Sequence, residues 1–234
     1  MTSSRLPGKV LLPVLGEPLL AHLVRRARAV PSLNGIILAT TTNDADDVLE
    51  ELARELGVGC FRGSERDVLG RVLAAASTGS AELVVELTGD NPLIDPAIIE
   101  TVIRTFVANE ADYVSNTHVK SFPDGMDVQV FRPETLARSA SMTEEPLHRE
   151  HVTLHIREHP QLFRAIHVVA PPELHWPELS VTLDEWGDYE LIRRVTEHLA
   201  PANILFGCHD IVKVMCANPA WLELNQKVKR KGDS

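Results

Sequence analysis

The sequence predicts an α/β fold in which helices cover both faces of a largely parallel sheet. Three observations support this prediction: short apolar runs alternate with amphipathic stretches, acidic or capping residues open several of those stretches, and glycines close them. With 234 residues, of which 44% are hydrophobic and 24% charged, the chain can bury a core of useful size. In such a fold we expect ligands at the carboxyl ends of the strands.

The first half of the chain carries the clearest elements. Its apolar runs are typical of strands buried on both faces, and Gly57 is the stop signal of the first helix. The pattern predicts, in order, a strand at 35–41, a helix at 44–56, a strand at 58–61, a helix at 64–76 capped by Ser64, a strand at 81–88, and a helix from Asp95 and Pro96 to about residue 109.

The second half changes character, because its strands are joined by longer polar loops. Here the pattern predicts strands at 111–115 and 126–131, a helix at 146–158, a strand at 163–170, a short strand at 181–183, a helix at 188–199 and two short helices within 209–227. We interpret 1–234 as one domain, with 111–135 as a hairpin-like extension or dimerisation segment and 209–234 as a helical tail.

Composition excludes several classes of protein. The formal net charge of −10 argues against a broad nucleic-acid surface, which needs clustered cations. No apolar run is long enough for a membrane span, and the first residues lack the apolar core of a signal peptide. Cys60, Cys208 and Cys216 are too few and too scattered for a disulfide framework. We therefore expect a cytoplasmic protein.

The segment Ser3-Ser4-Arg5-Leu6-Pro7-Gly8-Lys9 is a candidate phosphate-binding loop. Small residues and Gly let backbone N–H groups approach an anion, while Arg and Lys supply positive charge. The spacing does not match a Walker A loop. On local evidence alone, a flexible and solvated N-terminus explains the segment equally well.

Two aspartates follow apolar runs that end at the same edge of the predicted sheet. Asp90 lies in Thr88-Gly89-Asp90, directly after a strand, and Asp184 ends the run 181–183. Mg²⁺ commonly takes one or two carboxylates together with phosphate oxygens, so this pair could hold it. The alternatives are a simple turn at Asp90 and a helix cap at Asp184.

Two further segments carry polar side chains that could bind a metal ion or a sugar. His148, His151 and His155 would share one face of the predicted helix, but no other ligand completes a zinc site, and ordinary site-lining or surface histidines are favoured. The turn Asp124-Gly125-Met126-Asp127 leads into a strand and could present polar groups to a sugar.

Taken together, the motifs resemble the cytidylyltransferase superfamily of CMP-sugar synthetases, in particular its branch of spore coat polysaccharide biosynthesis proteins called SpsF. The resemblance runs through nearly the whole chain and rests on the order of the motifs. These are SSRLPGKVL at 3–11, FRGSERDVLGRVLAAA at 61–76, TGDNPLIDP at 88–96, SNTHVKSFPDGMDVQVF at 115–131, REHVT at 149–153, VTLDEWGDYELIRRV at 181–195 and NPAWLELNQKVKRK at 218–231.

The resemblance implies a nucleotide-diphospho-sugar transferase (Rossmann-like) fold, a three-layer sandwich around a mostly parallel mixed sheet. It also implies a Mg²⁺-dependent enzyme, expected to be a homodimer, that transfers CMP from CTP to a sugar, usually an acidic one, and releases pyrophosphate. By position, the resemblance implies catalytic roles for Arg5, Lys9 and Asp90, and metal binding by Asp90 and Asp184. It implies nucleotide binding by Ser4, Gly8, Ser64, Glu65, Thr88 and Gly89. It implies sugar binding by Asp124, Glu150 and His151.

The chain departs from the family pattern in three places. The family's loop follows a buried first strand that is missing from this sequence, Ser180 replaces an Arg, and Gln129 replaces a Glu. These departures leave a catalytically weakened nucleotide- or sugar-binding homologue as the main alternative. A glycosyltransferase that uses a nucleotide sugar is a weaker one, because no Asp-x-Asp pair ends an apolar strand.

Overall fold

The computed structural model describes residues 5–228. A short 3₁₀ turn (Lys9–Leu11) leads into a tight antiparallel pair, β1 (Pro13–Val14) and β2 (Glu17–Pro18), and then into helix α1 (Leu19–Arg28). The remaining strands and α-helices are β3 (Ile37–Thr41), α2 (Asp47–Leu56), β4 (Gly59–Gly63), α3 (Val68–Thr78), β5 (Val84–Glu86), α4 (Pro96–Val107), β6 (Tyr113–Ser115), β7 (Gln129–Phe131), α5 (Pro133–Ala140), α6 (Pro146–Glu150), α7 (Leu154–Glu158), β8 (Ala165–His167), α8 (Trp186–Leu199) and α9 (Cys208–Ala217).

The larger sheet has four strands in the order β5-β7-β6-β8. Strand β6 runs parallel to β8, while β7 is antiparallel to both β5 and β6, so three strands run one way and β7 runs the other. The mixed sheet and the flanking helices confirm the predicted α/β fold. Strands β6 and β7 pair as the sequence predicts, and both lie inside the sheet.

The parallel pair β3–β4 forms a second, separate sheet. Within residues 5–228, no strand pairs with the remaining edges of β3 and β5. Helix α1 connects the two sheets, since its Leu20 packs in the apolar cluster of Leu38 on β3 and its Leu19 in that of Val85 on β5. Helix α3 contacts β3 and also packs against Val84 of β5.

Several helix boundaries follow the predicted local rules. The Asp95 carboxylate accepts a hydrogen bond from Ala97 N at 2.7 Å, with Pro96 in the first turn of α4. Gly57 ends α2 with φ +63°, a conformation that glycine adopts without strain. No helix of the described chain combines the length and the apolarity needed to cross a bilayer.

Three sequence predictions are corrected by the structure. Asp67, not Ser64, caps α3, since its carboxylate accepts from Gly70 N at 2.9 Å. The helix expected at 146–158 is broken into α6 and α7 around residues 151–153, so His148, His151 and His155 do not share one helical face. The run 181–183 is extended but forms no regular strand, its segment making one isolated bridge between Ser180 and Asp124.

Candidate active site

The predicted phosphate loop folds back over the carboxyl edge of the larger sheet. Gly8 takes φ +68° directly before the 3₁₀ turn that opens at Lys9, a left-handed conformation that favours glycine. Arg5 Nη2 lies 2.8 Å from Asp184 Oδ1, so the loop is held by charge as well as by its turn. Ser4 lies outside the described residues.

Lys9 joins the two predicted metal-binding aspartates. Its Nζ lies 3.1 Å from Asp184 Oδ1 and 3.5 Å from Asp90 Oδ2. The same ammonium donates a hydrogen bond of 2.5 Å to the Leu183 carbonyl oxygen. The structure therefore brings Arg5, Lys9, Asp90 and Asp184 together at one edge of the sheet.

Backbone hydrogen bonds explain why the two aspartates meet. Leu183 N donates to Asp90 O at 2.8 Å, which places the segment before Asp184 beside the turn after β5. Thr182 Oγ1 donates to Asn91 Oδ1 at 2.8 Å and fixes the register. On the far side, the Asp188 carboxylate accepts from the backbone N–H groups of Asp184 and Glu185, and Glu185 at the N-cap and Asp188 at N3 form the capping box of α8.

The cations Lys9 and Arg5 stabilise the charged form of the Asp184 carboxyl. Burial alone would raise the pKa of the Asp184 carboxyl, but the charges and hydrogen bonds of Lys9 and Arg5 hold it below its ordinary value. Asp184 therefore remains an anion at neutral pH. Two cations and two carboxylates at one strand edge can bind a polyphosphate together with a metal cation.

The turn at 122–127 packs directly against the Asp184 segment. Asp124 accepts a hydrogen bond from Ser180 Oγ at 3.1 Å, and the backbone of Asp124 pairs on both sides with that of 179–181. Asp127, to which the family resemblance assigns no role, belongs to the same turn. Burial, and then the negative charges of Asp124 and Asp90, raise the pKa of the Asp127 carboxyl to about 7.

The predicted nucleotide-binding residues lie on both sheets. Thr88 and Gly89 are exposed beside the loop, and a Cβ on Gly89 would lie 3.7 Å from Val10 Cγ1. Ser64 and Glu65 are exposed after β4 on the smaller sheet, where Glu65 Oε2 accepts from Asn43 Nδ2 at 3.0 Å. Thr88 and Gly89 therefore follow a strand of the larger sheet, whereas Ser64 and Glu65 follow a strand of the smaller one.

Glu150 and His151, two of the residues predicted to bind the sugar, lie exposed at the break between α6 and α7. The break is explained by Thr153, whose hydroxyl donates to Gln129 Oε1 on the sheet at 2.5 Å. Gln129 in turn donates to Glu86 Oε2 at 3.1 Å. Enclosure of the Glu86 carboxyl raises its pKa to about 7.

The residues present fit a divalent cation of the Mg²⁺ type. Asp90 and Asp184 offer hard oxygen ligands, and the Lys9 ammonium between them shows that both carboxylates face one point. In the described part of the chain, no three His, Cys, Asp or Glu side chains converge as a ready metal site. Phosphate and water oxygens would therefore have to complete the coordination, as they commonly do for Mg²⁺.

Comparison with known proteins gives a consistent result. The family model described as "Cytidylyltransferase" matches residues 1–198. The uncharacterized protein MJ1063 of Methanocaldococcus jannaschii is 33% identical over 98% of this chain and 92% of its own length. The spore coat polysaccharide biosynthesis protein SpsF of Bacillus subtilis is 35% identical over 82% of this chain and 81% of its own length.

Two further similar proteins carry the name cytidylyltransferase. A 3-deoxy-manno-octulosonate cytidylyltransferase of Solibacter usitatus is 33% identical over 54% of this chain and 49% of its own length. Among solved structures, a cytidylyltransferase from Leptospira borgpetersenii superimposes with a TM-score of 0.91 at 30% identity, covering 98% of this chain and 95% of that one.

Proposed function

The chain belongs to the cytidylyltransferase family, and from this premise we propose that it transfers CMP from CTP to a sugar hydroxyl group. In this reaction the hydroxyl oxygen forms a bond to the α-phosphorus of CTP, and the bond from that phosphorus to the bridging oxygen of the β-phosphate breaks. Pyrophosphate leaves, and the hydroxyl proton is released. Such transfers depend on positioning and charge neutralisation more than on a protein nucleophile.

The observation that carries the proposal is the convergence of Lys9 with Asp90 and Asp184. Lys9 and Arg5 supply positive charge for the phosphates, at an edge where two carboxylates can hold a metal cation. Charge placed there opposes the negative charge that develops on the leaving pyrophosphate. The Gly8 turn and the exposed Thr88 and Gly89 leave room for backbone contact with the nucleotide.

We propose Mg²⁺ as the cation, held by Asp90 and Asp184. When bound, it supplies charge neutralisation at the phosphates and a template for their orientation. Arg5 and Lys9 would then bind phosphate oxygens, while the hydrogen bond from Asp184 N to the Asp188 carboxylate holds the backbone of Asp184 in place. Removing metal with a chelator is expected to abolish turnover, and adding Mg²⁺ back is expected to restore it.

The finer assignments are part of the same proposal. We propose an acidic sugar as acceptor, supported by the similarity to a 3-deoxy-manno-octulosonate cytidylyltransferase. A role in surface or spore-coat polysaccharide synthesis is supported by the name of the Bacillus subtilis relative. We also propose a homodimer. The three free thiols fit the reducing environment of the cytoplasm, which is the compartment we propose.

The test is a pyrophosphate-release assay on the full chain with Mg²⁺. CTP, UTP, ATP and GTP are each supplied with neutral sugars, hexosamines and 3-deoxy-2-keto acid sugars. We expect release that requires both CTP and an acidic sugar. Absence of release with every combination would contradict the proposed activity, and efficient release with another nucleotide would correct the base.

The alternative is a catalytically weakened binding protein, favoured by the open edges of β3 and β5 and by Ser180 at the Asp124 carboxylate. It predicts thermal stabilisation by CTP without pyrophosphate release. Turnover by this chain eliminates it. Hydrolysis of nucleotide sugars in place of triphosphates would instead indicate a glycosyltransferase.

A further inference from the structure

Gln129 joins two strands of the larger sheet to the break between α6 and α7. Its Oε1 accepts hydrogen bonds from the Tyr113 hydroxyl on β6 at 2.6 Å and from the Thr153 hydroxyl at 2.5 Å. Its Nε2 donates to Glu86 Oε2 on β5 at 3.1 Å. Gln129 is the first residue of β7 and pairs with the last residues of β5 and β6, so these bonds lie at the edge of the sheet that leads to Asp90.

Burial protects the bond between Thr153 and Gln129. Thr153 is 2% exposed and Tyr113 is fully buried, so water competes little for the Gln129 oxygen. Val152, the neighbour of Thr153, packs in the apolar cluster that contains Tyr113. The hydroxyl therefore meets Gln129 from a backbone that is itself seated on the sheet, and the two side chains hold one arrangement before any ligand binds.

The chain around Glu150 and His151 is anchored on both sides. On one side, Arg149 Nη1 lies 3.7 Å from Asp67 Oδ1, at the cap of α3. On the other side, Thr153 is bonded to the sheet through its hydroxyl. Glu150 and His151 are exposed between these two anchors. Since the family resemblance implies that both residues bind the sugar, the anchors set where a sugar-binding segment lies.

We propose that Thr153 and Gln129 are positioning residues for the sugar. The bond between their side chains holds Glu150 and His151 at the edge of the sheet where the acceptor approaches the α-phosphate of CTP. Neither Thr153 nor Gln129 needs to touch the reacting atoms, because the effect passes through the backbone of residues 150–153. This inference rests on the proposed transferase activity.

The inference makes a prediction that a purely structural role does not. A bond that only stabilises the fold would lower the melting temperature when it is lost and leave every KM unchanged. A bond that positions the sugar-binding segment raises the KM for the sugar when it is lost. It spares the affinity for CTP, since Lys9, Asp90 and Ser64 belong to other segments of the chain.

The experiment compares Thr153→Val, which removes the hydroxyl and keeps the shape of the side chain, with Thr153→Ser, which keeps the hydroxyl. The pyrophosphate-release assay on the full chain is run with the sugar varied at saturating CTP and Mg²⁺. We expect Thr153→Val to raise the KM for the sugar about 10-fold, the effect of one lost hydrogen bond, with kcat within about threefold. Thr153→Ser is expected to match the unaltered chain within about threefold, as is the CTP affinity of both variants in calorimetric titration.

Hydrogen exchange measured by mass spectrometry tests the anchor without any substrate. We expect the amides of residues 150–154 to exchange about 10-fold faster in Thr153→Val than in the unaltered chain, and at the unaltered rate in Thr153→Ser. Thr196→Val is the matched control, because Thr196 is 1% exposed and donates its hydroxyl to Ile192 O at 2.7 Å within α8. It should change neither the exchange of 150–154 nor the KM for the sugar.

Two results overturn the inference and leave the proposed function standing: turnover by Thr153→Val with an unchanged KM for the sugar, or exchange at 150–154 that matches the unaltered chain. A rise in the KM that Thr153→Ser shares equally would also overturn it, since the hydroxyl would then not be the cause, as would an equal loss of CTP affinity. If the unaltered chain turns over no sugar, the proposed function is overturned, and the exchange result still decides whether Thr153 anchors the segment.

Discussion

Lys9 Nζ lies 3.1 Å from Asp184 Oδ1, although 175 positions separate the two residues in the chain. The same ammonium lies 3.5 Å from Asp90 Oδ2, so Lys9 bridges two carboxylates at the carboxyl edge of the larger sheet. Lys9, which we propose to bind the phosphates, therefore neutralises the two carboxylates that we propose to hold the metal. Binding of the proposed metal and triphosphate would exchange these partners without leaving a charge unpaired.

Replacing Lys9 with Met should remove the charge while keeping most of the side-chain length. We expect kcat to fall about 100-fold or more, as for the loss of one electrostatic stabiliser of a transition state. Steady-state pyrophosphate release measures this effect. Lys213→Met, on the exposed face of α9, is the control. Equal activity of the two variants would remove Lys9 from the catalytic set.

Gly125→Ala should destabilise the protein and distort the site. The residue has φ +102°, and the added Cβ would meet backbone atoms of Val181 and Thr182 at 2.9 Å. We expect a loss of about 1–3 kcal/mol in the free energy of unfolding, measured by denaturant titration. Gly35→Ala is the comparison, because its Cβ meets nothing within 4 Å. Similar losses in the two variants would show that Gly125 is not under constraint.

Glu86 should make stability fall as pH rises. Burial raises the pKa of its carboxyl from 4.5 to about 7, so the folded protein binds this proton more tightly than the unfolded chain does. The favourable contribution is complete below about pH 4.5 and is lost as pH rises through about 7. Between pH 5 and pH 8 we expect Glu86→Gln to gain about 1–3 kcal/mol relative to the unaltered chain.

Urea unfolding at the two pH values tests the Glu86 prediction. Gln keeps an acceptor for the Gln129 amide, so the contact at 3.1 Å can persist. Glu134→Gln, on the exposed side of α5, serves as the control and should leave the pH dependence unchanged. If Glu86→Gln follows the same curve as the unaltered chain, the carboxyl does not titrate in this range.

Asp95 should be essential for anchoring α9 to α4. Its two carboxylate oxygens accept separate hydrogen bonds of 2.7 Å, one from Ala97 N and one from Cys208 N. Asn can accept only one of them, which leaves a buried N–H unpaired at a cost of about 1–3 kcal/mol. Thermal unfolding of Asp95→Asn measures the loss, and the exposed Asp44→Asn should show none. A shared melting temperature would mean that the second bond contributes nothing.

Local rules account for much of the fold. The Asp95–Pro96 cap and the Gly57 stop were predictable because their hydrogen bonds or backbone angles involve neighbours in sequence. Helix α1 was missed, although Leu19, Leu23 and Ala27 have the spacing of a buried helical face. The sequence therefore does carry a local signal for α1.

Contacts distant in sequence explain what was mispredicted. The helix at 146–158 breaks because Thr153 bonds to Gln129 across 24 positions, and side-chain periodicity does not report such a partner. At the site, Asp90 and Asp184 were predicted to converge and do so, although Asp184 follows an extended segment and not a regular strand. The turn at 124–127 was predicted from its residues, but its packing against 179–181 was not, because those hydrogen-bond partners are distant in sequence.

In the described part of the chain, side-chain packing, and not a backbone ladder, joins β3 to β5. Ser64 and Glu65 belong to the smaller sheet, whereas Asp90 belongs to the larger one, and helices α1 and α3 span the two. A backbone ladder fixes its strands at one spacing, but packed side chains tolerate small sliding displacements. The distance between the proposed nucleotide-binding residues of the two sheets is therefore set by apolar side-chain packing, and a substitution in that packing such as Leu20→Val should alter CTP affinity without changing any residue of the site.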